Sequence, residues 1–319
     1  MTPDPVDDAT LALLLEVAGT PKPGNVDRHR DLGDLRFEAF LGGAVGAREG
    51  LELAAGGEVG IGDAFERGVE GMAARSGTNT QFGCLLLLVP LVRATVAGDG
   101  FDDGLSLAVV DRVTRETTVE DAVAFYRAFE HVDVAVGDPP ADVDDLDVRR
   151  GSDASPALRE RGATLRDVMA LSADPNDTAI SDDSDDSDRV PDRNAQEWVE
   201  GFPRTFRAAE WIRSDEGPLT DRAARAFLGL LAAEPDTLVA ANHDPETAHE
   251  TSERAAALLG GERSTREPID ADAVHDADLD AAEELATAFV DEGINPGTTA
   301  DLTCAALYVA LRRGAEVAP

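Results

Sequence analysis

Lysine is almost missing from this sequence: Lys22 is the only one in 319 residues, and every other fixed positive charge is an arginine. Basic residues of both kinds are few, 28 against 64 acidic ones, which gives a formal net charge of −36. Such a surface excludes nucleic acid as a partner, because a phosphate backbone is bound by basic side chains. Cysteine is nearly absent too. Cys84 and Cys304 lie far apart in apolar helical contexts with no metal-ligand spacing around them, so they are expected to be reduced core residues. No apolar run is long enough to cross a bilayer, the longest being 84–92, which contains Pro90, and no basic stretch followed by an apolar one opens the chain. The expectation is a cytoplasmic protein with no membrane contact. Period-two alternation is also missing, 132–136 being the sole strand-like stretch, so the fold expected is all-α. Neither a Gly-x-x-x-x-Gly-Lys-Ser/Thr loop nor a Gly-x-Gly-x-x-Gly turn after a strand occurs, which excludes the P-loop and the dinucleotide-binding fold.

What remains is rich in small apolar residues and acid. With 43% hydrophobic residues the chain can bury a substantial core, and residues 1–319 are expected to form one multi-helix domain. Ala, Gly and Val in place of bulkier side chains, together with the acidity, look like adaptation to a high-salt interior, where a Debye length of about 3 Å screens self-repulsion. A flexible acidic insertion is expected at 174–193. Its core, the Ser-Asp run at 180–188, lacks the glycine and terminal glutamate of a calcium-binding EF-hand loop.

Helical periodicity predicts segments at 10–18, capped by Asp8 or Thr10, at 35–54, capped by Asp34, and at 63–75. Glycines 42, 43 and 46 inside the second segment suggest close approach of another helix or a ligand. Residues 82–97 are apolar on nearly all sides and read as the buried central helix. Two more helices fit 101–131, a loop fits 132–148, and further helical patterns cover 164–171, 194–212, 220–233, 245–259, 279–292 and 300–312.

The chemistry concentrates in turns. Residues 19–30, Gly-Thr-Pro-Lys-Pro-Gly-Asn-Val-Asp-Arg-His-Arg, place the lone lysine between two prolines that fix the backbone, followed by Gly24, which admits positive φ or a ligand close to the main chain. A second turn, 76–80, leads into the central helix and could deliver Thr80 and Asn79, with free backbone N–H groups, to an anion. Asparagine is rare, yet Asn25, Asn79, Asn242 and Asn295 each occupy one of four glycine- or proline-flanked turns. If these turns converge, one pocket offers Lys22, Arg28 and helix N-termini for phosphates and amides for ribose or base. His243 stands beside the third turn, and Asp27, Asp34 and Asp301 are there for magnesium or proton transfer. A nucleoside triphosphate fits that list.

Thr20-Pro21-Lys22-Pro23-Gly24-Asn25-Val26-Asp27 matches the Thr-Pro-Lys-Pro-Gly-x-Val-Asp signature of triphosphoribosyl-dephospho-CoA synthases, and the chain resembles that family over most of its length. Asp34-Leu35 falls where the family has an Asp-Met step, Asn79-Thr80 with Gly83 echoes its Gly-Val-Asn-Thr-His-Lys-Gly, Asp236-Thr237 echoes an Asp-Thr-Asn segment, and 296–301 resemble its Pro-Gly-Gly-Ser-Ala-Asp. The sequence departs from the family at Gln81 and Phe82, which stand for a His and a Lys, and at Leu32, which stands for a His.

The resemblance implies an enzyme in which ATP loses adenine and its ribose anomeric carbon is taken by a hydroxyl of dephospho-CoA. For that chemistry Lys22 and Arg28 would hold phosphates, Asp27, Asp34 or Asp301 magnesium, and Asn79 and Asn295 ribose or adenine, with Gly24, Asn25, Thr80 and His243 completing the nucleotide site. Asp27, His29 or Asp34 would then serve the proton transfers. Two alternatives stay open: a related transferase with another acceptor, such as a pterin precursor, and a non-catalytic nucleotide-binding protein. The oligomeric state is not readable.

Overall fold

The computed structural model of the chain describes residues 4–98, 104–136, 143–173, 190–259 and 269–317. The described residues form seventeen α-helices and no strand: α1 Pro5–Ala18, α2 Phe37–Gly46, α3 Arg48–Gly56, α4 Ile61–Ser76, α5 Phe82–Ala97, α6 Leu107–Arg115, α7 Val119–Ala128, α8 Ser155–Arg161, α9 Leu165–Ala173, α10 Arg193–Glu200, α11 Pro203–Ser214, α12 Leu219–Ala233, α13 Thr237–Asn242, α14 Pro245–Ala257, α15 Ala271–His275, α16 Leu279–Glu292 and α17 Gly297–Arg312. The strand-like stretch 132–136 is irregular, and the pairing of Leu32 with Leu35 is an isolated bridge. Most of the acidic insertion expected at 174–193, residues 174–189, lies outside the described residues.

Two helices carry the core. α5 buries an unbroken run from Cys84 to Val92, and α17 buries nearly everything from Thr298 to Leu311 apart from Asp301. They pack on each other, with α3, α4 and α6 around α5 and with α1, α11 and α12 around α17. Pro90 lies inside α5 and cannot donate to the carbonyl of Leu86. The indole N–H of buried Trp198 donates to that carbonyl instead, at 3.1 Å, so α5 continues through the proline and is tied to α10. A second apolar cluster, with Phe227, Leu231, Ala248, Ala255 and Phe289, joins α12, α14 and α16.

Several helix boundaries differ from the sequence expectation for local reasons. The first helix starts earlier, with Asp4 accepting from the Val6 N–H and Pro5 in the first turn, where a missing donor does no harm. Asp34 does not cap the second. Two backbone hydrogen bonds between Leu32 and Leu35 close a turn that leaves Asp34 exposed, and Asp31 accepts from the Phe37 N–H at 3.0 Å. The expected 35–54 helix divides at Ala47 into α2 and α3, both lying across α4. The glycines there do serve a helix crossing: a Cβ on Gly46 would sit 2.2 Å from the Gly71 carbonyl oxygen, and one on Gly50 2.4 Å from the Gly68 nitrogen. The 194–212 segment breaks at Gly201 and Phe202, both left-handed, and α11 restarts with Pro203.

Candidate functional site

The N-termini of α5, α10, α13 and α17, the end of α1 and the α7–α9 region enclose a cavity of 780 Å³. All four turn asparagines, Asn25, Asn79, Asn242 and Asn295, line it. The 20–27 loop reaches it by packing on the turn before α17: Asn25 donates to the Pro296 carbonyl at 3.1 Å, and a Cβ on Gly24, whose φ is 76°, would stand 2.2 Å from the Ile294 oxygen. Only glycine permits that approach.

Asp301, in the first turn of α17, is the chemical centre of the inner wall. Its Oδ2 accepts from Asn194 Nδ2 at 2.9 Å and its Oδ1 from Cys84 Sγ at 3.2 Å. Burial pushes its carboxyl up to about 7, against the opposing pull of those two donors. Gly83 makes the arrangement possible, since a Cβ there would overlap the Asp301 carboxylate at 1.9 Å. Cys84 and Cys304 are free and buried; the neighbouring Cys304 thiol and burial push Cys84 up and burial pushes Cys304 up, so they are not thiolates at neutral pH. Two lining side chains carry buried atoms without a partner, Thr80 Oγ1 and Asn194 Oδ1. Among the described residues the N–H groups of Gly83, Cys84 and Thr298 also lack one, which leaves two helix N-termini open to an anion.

Phe82, Phe125 and Phe129 line another wall, in ring contact at centroid distances of 4.9 Å for Phe82–Phe129 and 5.2 Å for Phe125–Phe129. Phe82, standing where the resembled family has lysine, therefore turns a charged position into part of an aromatic surface. Gln81 is buried behind it and donates to the Leu13 carbonyl at 3.1 Å.

Other residues singled out in the sequence stay away from the lining. Lys22 is buried and ion-paired with Glu16, and it is Glu16 that borders the cavity. Asp27 is saturated: it accepts from the N–H groups of Lys22, His29 and Arg30 and from the Arg30 guanidinium, so it builds the loop instead of facing a substrate. Arg28 and His29 are exposed, Arg28 near Thr20 and His29 near Glu283. Asp34 is exposed in its turn. His243 is exposed, its ring nitrogen 3.1 Å from the Gly293 carbonyl.

Asp27, Asp34 and Asp301 do not come together, and among the described residues no group of three acidic, histidine or cysteine side chains could hold a metal. The described lining contains Glu16, Asp133, Asp147, Asp192 and Asp301 but no lysine, arginine or histidine. Sequence reasoning passed over Glu16, Asp192 and Asn194. Glu16 sits in an ordinary helical pattern, and Asp192 and Asn194 follow the acidic run with nothing local to set them apart.

A helical domain that closes polar turns, open helix ends and a partly protonated carboxyl around a cavity of this size is built as an enzyme for a nucleotide-sized substrate. The chain belongs to the ATP:dephospho-CoA triphosphoribosyl transferase family, whose model matches residues 4–180 and 188–318. Among solved structures it is similar to a protein from Archaeoglobus fulgidus provisionally assigned as a triphosphoribosyl-dephospho-CoA synthase. That likeness has 22% identity and a TM-score of 0.61, covers 86% of this chain and all of the other, and bears on the fold alone. No curated protein matches the sequence. No helix of the described residues is long and apolar enough to cross a membrane.

Proposed function

We propose that the chain transfers the triphosphoribosyl group of ATP to a hydroxyl of dephospho-CoA, releasing adenine, with the cavity around Asp301 as the active site. The observation that carries this reading is the Asp301 carboxyl, lifted to about 7 where four amide turns and two open helix ends meet. A group titrating near neutrality can give a proton to the departing base and take one from the incoming hydroxyl, work typically worth 10²–10⁴-fold in rate. The open N–H groups of α5 and α17 receive phosphate oxygens, and Asn25, Asn79 and Asn295 hold ribose or base. Magnesium belongs to this reading only as the counter-ion of the nucleotide, because the lining is acidic and the three aspartates expected to bind it are apart.

One observation favours a second reading in which the acceptor is a different, less charged cofactor precursor: Phe82 and its aromatic neighbours occupy the place of a family lysine, on a wall suited to a planar ring. Adenine release from ATP by the purified protein in molar KCl, with and without dephospho-CoA and followed by product mass, decides between them. Release that depends on dephospho-CoA, together with the triphosphoribosyl adduct, is expected, and D301N should lower kcat by at least about 10². Bound ATP with no adenine released under any condition would reject catalysis.

A further inference from the structure

The single lysine of the chain is deployed against a carboxylate. Lys22 Nζ is in contact with Glu16 Oε1, and both side chains are 2% exposed. A guanidinium here would bring five N–H donors to a place where one carboxylate oxygen waits, whereas an ammonium brings a compact charge. An otherwise arginine-only chain therefore keeps lysine where it needs one buried point charge.

Glu16 is what that charge serves. It lies in the last turn of α1 and borders the cavity. Lys22 takes Oε1, and no described residue donates to Oε2. The other lining acids are placed differently. Asp192 caps α10 through the Ala195 N–H, Asp147 is bound by Arg149, and Asp133 is exposed at the rim. Asp301 has both oxygens engaged by Asn194 and Cys84. Glu16 is thus a buried carboxylate with a paired cation behind it and a free oxygen in front.

We propose that Glu16 is a catalytic residue of the transfer, its carboxylate facing the positive charge that develops on the ribosyl ring as adenine departs, with Lys22 as its fixed counter-ion. This rests on the reading of the cavity given above and deepens it. The bond from C1′ to the adenine nitrogen breaks, the electron pair leaves with adenine, and Asp301 supplies the proton. The acceptor hydroxyl oxygen bonds to C1′ and its proton returns to Asp301, so ATP and an alcohol give adenine and the triphosphoribosyl O-glycoside with no net change in the protein. Glu16 is to act as the anion: burial pushes its carboxyl up, and the Lys22 ammonium in contact with it opposes that push and favours the charged form. Both carboxyls are raised by burial, but Glu16 has a cation beside it and Asp301 only the neutral donors Asn194 and Cys84, and one acid with one anion is what an oxocarbenium-like transition state requires.

The test compares binding of iminoribitol triphosphate, protonated at its ring nitrogen, with that of neutral anhydroribitol triphosphate. The wild-type protein should prefer the cation by about 10²-fold. D301N should lose turnover and keep the preference. E16Q should lose the preference and drop kcat by about 10²–10³ while its Kd for ATP stays within about threefold, which a merely structural role would not produce. Because E16Q leaves Lys22 unpaired and could fail to fold, the charge-neutral double variant E16Q/K22M is measured beside it with the same expectation. Equal binding of the two analogues by an active wild-type enzyme, or preference and turnover retained in the double variant, would overturn the role of Glu16 and leave the proposed function standing. Absence of adenine release from the wild type would instead remove the function itself.

Discussion

Burial gives Asp301 a thermodynamic signature independent of any substrate. Its carboxyl is raised from 3.8 to about 7 in the folded protein, so between those values the native state holds a proton that the unfolded chain has shed. The stabilisation from this proton is complete below about pH 4 and is lost as pH rises through about 7. D301N removes the group. The stability of wild type relative to D301N should therefore fall by on the order of 2–4 kcal/mol between about pH 4 and pH 8, as read from denaturant melts at constant KCl. A flat difference would mean that Asp301 is ionised in the fold.

At this scale the sequence was informative about turns and helix starts, Asp301 in the first turn of α17 included, and silent about residues inside or at the end of a helix such as Glu16. The four asparagines pointed to a shared cavity because turn residues are rare and locally motivated, whereas Gly24 packs on Ile294 outside the lining. Lys22 and Asp27 both belong to the specific 20–27 signature, yet Lys22 is paired with Glu16 and Asp27 is spent on its own loop, since a motif records that a residue is required and not which way it points. Glu16 gave no signal because its partner lies in a loop six residues on, and only the return of the chain past α1 makes it face a cavity.

Among the elements, the crossing of α2 and α3 over α4 depends on paired glycines. A Cβ at Gly50 would come within 2.5 Å of the Ala64 oxygen and of the Gly68 Cα, both backbone atoms of α4 that cannot step aside. G50A gains up to about 1 kcal/mol of intrinsic helix propensity yet forces the two helices apart. A net loss of about 1–3 kcal/mol is expected. Gly56, the last residue of α3, meets nothing within 4 Å, so G56A should be neutral or slightly stabilising, and the two variants compared by thermal melts isolate the crossing from propensity. The crossing was legible in outline from glycines 42, 43 and 46. The break at Ala47 was not, because the apolar period runs through it and only packing on α4 divides the helix. The α5 helix was legible in full, being apolar all round, and Pro90 did not break it because Trp198, 108 positions further along the chain, supplies the donor that the lost hydrogen bond leaves wanting.

The whole molecule carries −36 with its acids spread along the chain, and two opposing effects of salt follow. Salt weakens the surface ion pairs, among them Arg48–Glu52, Arg67–Glu49 and Arg159–Glu120, but pairs this exposed contribute little to stability. It also screens repulsion among carboxylates that outnumber lysine and arginine by more than two to one, and compactness makes that repulsion larger in the folded state than in the expanded one. The second effect should win. Tm is expected to rise steeply as KCl goes from about 0.1 M, where the Debye length is about 10 Å, to about 1 M, where it is about 3 Å, and to flatten once it falls below the spacing between charges. Sucrose at matched osmolality carries no charge and should not reproduce the steep part. A Tm that falls with KCl, or rises equally with sucrose, would show that the ion pairs or general exclusion from the surface govern stability and that charge repulsion does not.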